Sequence, residues 1–142
     1  IIAIDYTVAP DSYWAKIQNQ TINVFNALLA SGYSMNDIAI IGDSAGGGLA
    51  LNTVLAMRDS GMGMPAAVVL LSPWADISDR GDTMHTLVDS EPIIGYKMLH
   101  NSALAYARGT VLTDANVSPI YGDYTKGFSP TLITAGTKEM LL

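Results

Sequence analysis

Four short apolar runs predict β-strands at residues 1–5, 38–41, 66–71 and 131–135. None of them alternates apolar with polar positions, so we expect each strand to be covered on both faces, as in a parallel sheet. Between the first two runs, Ile17, Thr21, Val24 and Leu28 repeat at the spacing of one helical face and predict a helix, which Gly32 ends. A second helix is predicted from Gly46 to about Asp59. This alternation is typical of an α/β domain with right-handed crossovers.

Residues 74–130 interrupt the regular alternation, because they separate the third predicted strand from the fourth by more chain than a simple crossover needs. A helix is predicted within this interval at about residues 97–108, and Gly109 ends it. The interval is rich in Tyr, Leu and Met. We therefore expect a cap or lid that lies over the carboxyl ends of the strands.

Composition narrows the class of protein. The 142 residues fit one domain, and a hydrophobic content of 49% with only 14% charged residues predicts a buried core. No apolar run approaches the ~18 residues that a membrane span needs. A net charge of −6 argues against nucleic-acid binding, because phosphate recognition depends on positive charge. The absence of cysteine excludes disulfides and thiolate metal sites in these residues, and the cytoplasm is the default expectation.

The strongest chemical signal is the segment GDSAG at residues 42–46, between an apolar strand and a predicted amphipathic helix. Gly-x-Ser-x-Gly in that context predicts a nucleophile elbow, a sharp turn in which the serine takes a strained backbone conformation. We expect side chains at Gly42 and Gly46 to collide with the crossing strand and helix, so both positions need glycine. The turn presents the Ser44 hydroxyl and directs the Ala45 N–H toward a developing oxyanion.

The motif has two other interpretations. Glycine-rich turns between a strand and a helix also bind phosphates, but this one lacks the Lys-Ser/Thr pair of a P-loop and the glycine spacing of a dinucleotide site. Chance matches to Gly-x-Ser-x-Gly are common. The strand-turn-helix setting is what favours catalysis by Ser44.

At this point the chain resembles the hormone-sensitive-lipase-like esterases, also called bacterial lipase family IV. Residues 42–47 (GDSAGG) match the elbow of that family, and residues 5–11 (DYTVAPD) resemble its D-Y-R-L-A-P-E segment, with Thr7 for Arg and Asp11 for Glu. Later segments resemble the family in the same order: LSPWAD at 71–76, VSPIY at 117–121 and PTLI at 130–133. The resemblance implies an α/β-hydrolase fold, a mostly parallel sheet with flanking helices and a cap insertion.

The resemblance also implies a catalytic acid after the last predicted strand, in a D-P-L or E-x-L-L pattern. Residues 139–142 (EMLL) fit the second form and make Glu139 the candidate acid. Its role would be to fix the tautomer of a histidine and to stabilise the imidazolium. The alternative is that Glu139 is an ordinary solvated loop residue beside Lys138.

Two elements of the family have no counterpart in residues 1–142: the H-G-G-G oxyanion loop, expected before them, and the catalytic histidine, expected after them. His85 and His100 both lie between Ser44 and Glu139, and neither is assigned as the base. We therefore expect a piece of a longer protein that is inactive alone. In α/β-hydrolases the strand bearing the oxyanion loop lies between the first two strands seen here, which are thus not expected to be hydrogen-bonded neighbours.

The expected function is hydrolysis of short-chain acyl esters through a Ser44 acyl-enzyme, with lactone hydrolysis as a close variant. The expected partner is a small-molecule ester, no cofactor or metal is expected, and the oligomeric state is left open. The alternative is a non-catalytic protein that binds a small ligand on the same fold, as in the gibberellin receptors, which resemble this family. The residue at the histidine position distinguishes the two.

Overall fold

The structure is a computed structural model that describes residues 1–142. Its helices are α1 (Trp14–Ala30), α2 (Ala45–Asp59), α3 (Thr83–Thr86) and α4 (Tyr96–Ala107), and its strands are β1 (Ala39–Asp43), β2 (Ala67–Leu71) and β3 (Thr131–Thr134). Single turns of 3-10 helix lie at Met35–Asp37, Pro119–Tyr121 and Tyr124–Lys126. The predicted alternation of helix and strand is confirmed from α1 onward, with bounds close to those predicted.

The three strands form one parallel sheet in the order β1-β2-β3. The register places Ile41, Val69 and Leu132 in one row across it. Because parallel neighbours are joined by crossovers, α2 connects β1 to β2, and residues 74–130 connect β2 to β3. The carboxyl ends of all three strands therefore meet at one edge of the sheet.

The strand predicted at residues 1–5 is wrong for this structure, since these residues form no strand and Ile1 and Ile2 are exposed. Apolar and β-branched residues favour extended backbone, but a strand also needs a neighbour to pair its N–H and C=O groups. No described segment pairs with residues 1–5. The prediction that they and residues 38–41 are not hydrogen-bonded neighbours is confirmed.

The prediction that every strand is covered on both faces is also wrong for the described residues. Val68 and Leu70 of β2 are 1% and 0% exposed, in a buried cluster to which α1 and α2 both contribute. On the opposite face, Ile41 is 66% exposed and Leu132 is 60% exposed. Both helices pack on one face of the sheet, which leaves Ile41 and Leu132 exposed on the other and Val69 between them partly exposed.

Helix α2 was predicted to be amphipathic, and this is wrong: ten of its 15 residues are buried, on nearly all of its sides. The sheet and α1 cover one side. The 74–130 interval covers the other, where the Asn52 side-chain amide donates to the Asn116 carbonyl at 3.0 Å. The Asn52 carbonyl also accepts a hydrogen bond from the Gln18 side-chain amide of α1, at 3.0 Å, so Asn52 links α2 to both of its neighbours.

A second core forms within the 74–130 interval and beneath the end of the chain, from Trp74, Ile77, Met84, Leu99, Ala103, Ala107, Val117 and Met140. The helix predicted at about residues 97–108 is confirmed as α4, which buries one stripe at Leu99, Ala103 and Ala107. The capping role of the interval stays a prediction. None of the helices has the length and apolar character needed to cross a membrane.

Candidate active site

Ser44 lies at the turn where β1 ends and α2 begins, with φ 53° and ψ −120°. A positive φ is uncommon for a residue with a side chain, because the Cβ atom then crowds the backbone. The predicted strained strand-to-helix turn is therefore confirmed. Ser44 remains half-buried at the edge of the sheet where the strands end.

Four backbone hydrogen bonds fix the Ser44 peptide groups. Its N–H donates to the Leu71 carbonyl at 2.9 Å. Its carbonyl accepts from the N–H groups of Gly47 at 2.9 Å, Gly48 at 3.3 Å and Trp74 at 2.9 Å. These bonds come from β2, from the first turn of α2 and from the start of the 74–130 interval, so three elements hold the strained conformation.

The two elbow glycines differ in their surroundings. A Cβ atom on Gly42 would collide with the backbone of Gly46 and Gly47, so the prediction for Gly42 is correct. A Cβ atom on Gly46 would meet only the Tyr6 hydroxyl, at 3.8 Å, which is an ordinary contact. The predicted collision at Gly46 is therefore wrong for the described residues, because neither strand nor helix crosses in front of it.

Two further glycines, which the sequence analysis did not single out, are tightly packed. A Cβ atom on Gly47 would lie 2.8 Å from Pro73 Cβ, and one on Gly48 would collide with the Trp74 carbonyl. The run of three glycines at residues 46–48 was the available signal. It allows the first turn of α2 to approach the segment that follows β2.

Ala45 is the first residue of α2, so its N–H has no intrahelical acceptor and lies at the positive end of the helix dipole. Ala45 also lines a mainly apolar cavity of about 150 Å³ between α1, α2 and α4. Other residues that line it are Leu49, Trp74, Ile77, Ser102 and Tyr106. A free N–H beside such a cavity can bind a developing negative charge next to an apolar group.

Tyr106 supplies a polar group to the cavity. Burial raises the pKa of Tyr106 to about 12, with the nearby Asn52 side chain acting in the opposite direction and Tyr6 in the same one. The Tyr106 hydroxyl is thus protonated at any physiological pH.

Glu139 lies in a turn shortly after β3, half-buried, and its side chain folds back over Gly136. A Cβ atom on Gly136 would come 2.6 Å from Glu139 Oε1. The other carboxylate oxygen, Oε2, is buried and has no hydrogen-bond partner in the structure. A buried carboxylate oxygen without a donor is costly, so this atom is suited to accept a hydrogen bond from an imidazole N–H.

The two histidines meet at Asp79, a cluster that the sequence analysis missed. His100 Nδ1 lies 2.8 Å from Asp79 Oδ2, which also accepts from the Tyr96 hydroxyl at 3.1 Å. His85 Nε2 lies 2.9 Å from the Asp79 carbonyl oxygen. Neither histidine is hydrogen-bonded to Ser44 or Glu139. The only sequence signal for the cluster was that Asp79, His85 and His100 all lie within the 74–130 interval. No group of three or more His, Asp or Glu side chains is arranged to hold a metal ion.

A family model described as alpha/beta hydrolase fold matches residues 1–142. Among curated proteins, the chain is similar to an acetyl-hydrolase of Streptomyces hygroscopicus, with 34% identity over 99% of this chain and 47% of that protein. It is also similar to an esterase of Acinetobacter venetianus, with 30% identity over 100% of this chain and 47% of that protein. The chain thus spans about half the length of these relatives.

Solved structures agree with this similarity. A crystal structure of an esterase from the bacterial hormone-sensitive lipase family superposes with a TM-score of 0.91 at 34% identity, over 96% of this chain and 46% of that one. A hormone-sensitive lipase from a metagenome library gives a TM-score of 0.92 at 32% identity, over 97% of this chain and 47% of that one. The described residues therefore share their fold with these two proteins.

Proposed function

The chain belongs to the α/β-hydrolase fold family, and from that membership we propose that the protein hydrolyses carboxylic esters of short acyl chains with Ser44 as its nucleophile. The observation that carries the proposal is the strained Ser44 turn, which three elements fix by backbone hydrogen bonds. Strain of this kind persists only where the surroundings impose it, and it clusters at active sites. The names of the similar proteins, acetyl-hydrolase and esterase, support the same reaction.

In the proposed reaction, Ser44 Oγ attacks the ester carbonyl carbon while a histidine takes the serine proton. The carbonyl oxygen becomes an oxyanion, to which the Ala45 N–H donates a hydrogen bond. The C–O bond to the alcohol then breaks, and the alcohol leaves with the proton from the histidine. Water repeats the sequence on the acyl-enzyme, which releases the acid and frees Ser44.

Glu139 is the proposed acid of this triad, and its unpartnered Oε2 supports the assignment. The histidine is proposed to lie in a part of the protein outside residues 1–142. His100 is already paired with Asp79, and His85 bonds the carbonyl of the same residue. The base is therefore not assigned to either of them.

The apolar cavity beside Ala45 supports a short acyl group as the substrate. Its volume of about 150 Å³ is that of a cavity able to hold a benzene-sized group. An acyl chain that enters there brings its carbonyl oxygen near the free N–H at the start of α2. A lactone would react by the same steps, because it presents the same carbonyl to Ser44.

The proposal is tested in the complete protein by hydrolysis of p-nitrophenyl butyrate and by labelling with an organophosphonate ester. Wild-type protein should turn over the ester and take one label at Ser44. Ser44→Ala should lose both, because the phosphonate reacts with the activated serine oxygen. Ser90→Ala is the matched control, since Ser90 is exposed and its hydroxyl makes no hydrogen bond in the structure.

Labelling that persists undiminished in Ser44→Ala would show that another residue is the nucleophile. Tight binding of a small ligand by a folded wild-type protein that turns over no ester or lactone would favour the binding-protein alternative.

A further inference from the structure

The peptide that follows Glu139 is held from both sides by the 74–130 interval. The Met140 N–H donates to Glu91 Oε2 at 3.0 Å. The Thr83 hydroxyl lies within donating distance of the Met140 carbonyl, at 2.9 Å, and of the Leu142 carbonyl, at 3.0 Å. The Met140 side chain is 1% exposed in the second core. The residue beside the candidate acid is thus fixed at its N–H, its carbonyl and its side chain.

Glu91, which accepts the Met140 N–H, is itself held in place by hydrogen bonds. Its Oε1 accepts from the N–H groups of Ile93 at 2.9 Å and Ile94 at 3.3 Å, just before α4. Burial raises the pKa of Glu91, but the N–H groups of Met140, Ile93 and Ile94 together outweigh burial and leave the pKa below its ordinary value. At neutral pH, Glu91 is therefore an ionised carboxylate that uses both oxygens to join two segments distant in sequence.

Glu139 has few restraints of its own. Its Oε2 has no partner, and its backbone makes two turn bonds: its N–H donates to the Gly136 carbonyl at 3.2 Å, and its carbonyl accepts from the Leu142 N–H at 3.3 Å. The direction of its side chain therefore depends on where the next residue, Met140, is held. A catalytic group must stay within about 0.5 Å of its productive position, and neighbouring hydrogen bonds normally provide that precision.

We propose that Glu91 and Thr83 are positioning residues for Glu139: they clamp the Met140 peptide so that the Glu139 carboxylate meets its histidine in the orientation that catalysis needs. This inference rests on the proposed function. It gives the 74–130 interval a second role, because the clamp links α3 and the start of α4 to the loop of the catalytic acid.

The clamp has a consequence that a merely structural contact would lack. A well-placed carboxylate stabilises the imidazolium and so raises the pKa of the catalytic histidine. If Glu139 is displaced, that pKa falls, and the acidic limb of the kcat/KM pH profile moves to lower pH. The value of kcat falls as well, while KM changes little because the clamp does not line the cavity.

The test compares variants of the complete protein. Glu91→Gln removes one acceptor from the clamp, and Asp89→Asn is the matched control, an equal loss of charge at an exposed position two residues away. We expect kcat to fall about 10–100-fold in Glu91→Gln, the loss typical when a residue that orients a metal ligand by a hydrogen bond is replaced, with the acidic limb at lower pH. Asp89→Asn should match wild type. Hydrogen exchange at the Met140 amide should accelerate only in Glu91→Gln.

A second pair of variants keeps the test decisive if Glu91→Gln does not fold. Thr83→Val removes the donor to the Met140 carbonyl, and Thr83→Ser restores it. We expect Thr83→Val to lower kcat and shift the limb in the same direction, and Thr83→Ser to recover both.

An unshifted acidic limb in both Glu91→Gln and Thr83→Val would overturn the proposal. A fall in kcat alone would not rescue it if that fall matched the fraction of protein labelled at Ser44, because such a fall reflects only a smaller amount of active protein. Exchange at the Met140 amide that is unchanged in Glu91→Gln would overturn it too. A wild-type protein that neither hydrolyses esters nor takes a label at Ser44 would instead remove the proposed function and this inference with it. An active wild type with unshifted variants would remove the positioning role alone.

Discussion

Ser44 occupies a backbone conformation that residues with a side chain rarely adopt, at φ 53° and ψ −120°. Holding a residue there costs about 1–3 kcal/mol. The backbone hydrogen bonds that Ser44 makes with Leu71, Gly47, Gly48 and Trp74 offset this cost and hold the residue in the turn. The backbone of the proposed nucleophile is therefore fixed before any substrate arrives.

At this scale the motif predicted the turn, its strain and the glycine at position 42, because all three follow from local backbone sterics. It did not predict that Trp74 closes the set of bonds to Ser44, or that Gly48 packs against the same residue. Those contacts join segments from different crossovers. Local spacing carries no information about them.

Replacement of the proposed acid gives a prediction at the residue scale. Glu139→Ala in the complete protein should lower kcat by about 10³–10⁴-fold, because the histidine loses the group that fixes its tautomer. Steady-state kinetics on p-nitrophenyl butyrate measure the loss, and Lys138→Ala is the control at the neighbouring exposed position. If Glu139→Ala keeps most of the wild-type activity, another carboxylate is the acid.

Helices and strands were predicted well where hydrophobic spacing determines them. Helix α4 was found at its predicted place because Leu99, Ala103 and Ala107 repeat at the spacing of one helical face. Burial was predicted less well. The apolar runs of β1 and β3 predict strands covered on both faces, yet Ile41 and Leu132 are exposed. The pattern of a strand does not show which other elements are present to cover that strand.

Helix α4 gives a prediction about the acyl group, because it closes one wall of the cavity at Ser102 and Tyr106. Ser102→Leu should fill part of the cavity and lower kcat/KM for p-nitrophenyl hexanoate by about 10-fold relative to the acetate, since one methylene in a pocket can change selectivity by that much. Asn101→Leu adds the same group on the same helix, outside the cavity lining, and should leave the ratio unchanged. An unaltered ratio in Ser102→Leu would mean that the acyl chain binds elsewhere.

The molecule as a whole has a groove of about 820 Å³ between residues 1–4 and β1. The edge of β1 that faces away from β2 has no strand beside it. Unpaired backbone groups cost about 1–3 kcal/mol each once they are buried, and folded domains are stable by only about 5–15 kcal/mol. The similar proteins are about twice as long as this chain. These facts support a strand of the complete protein as the occupant of the groove.

Gly46 offers a direct test of that occupant, because it lines the groove and a Cβ atom there would meet only the Tyr6 hydroxyl, at 3.8 Å. If the groove stays open in the complete protein, Gly46→Ala should stabilise α2 by about 0.5–1 kcal/mol, the usual gain for alanine over glycine in a helix. If a strand fills the groove, the added methyl group should overpack it and lower the free energy of unfolding by about 1–3 kcal/mol. We expect the second result, which would also explain why the collision predicted at Gly46 is not seen among the described residues.

Urea denaturation of the complete protein measures the difference. Gly81→Ala is the control, since its Cβ atom would likewise have a single contact at 3.8 Å, with Met84 Cγ, away from the groove. A gain of stability in Gly46→Ala would contradict the strand, because the two outcomes differ in sign.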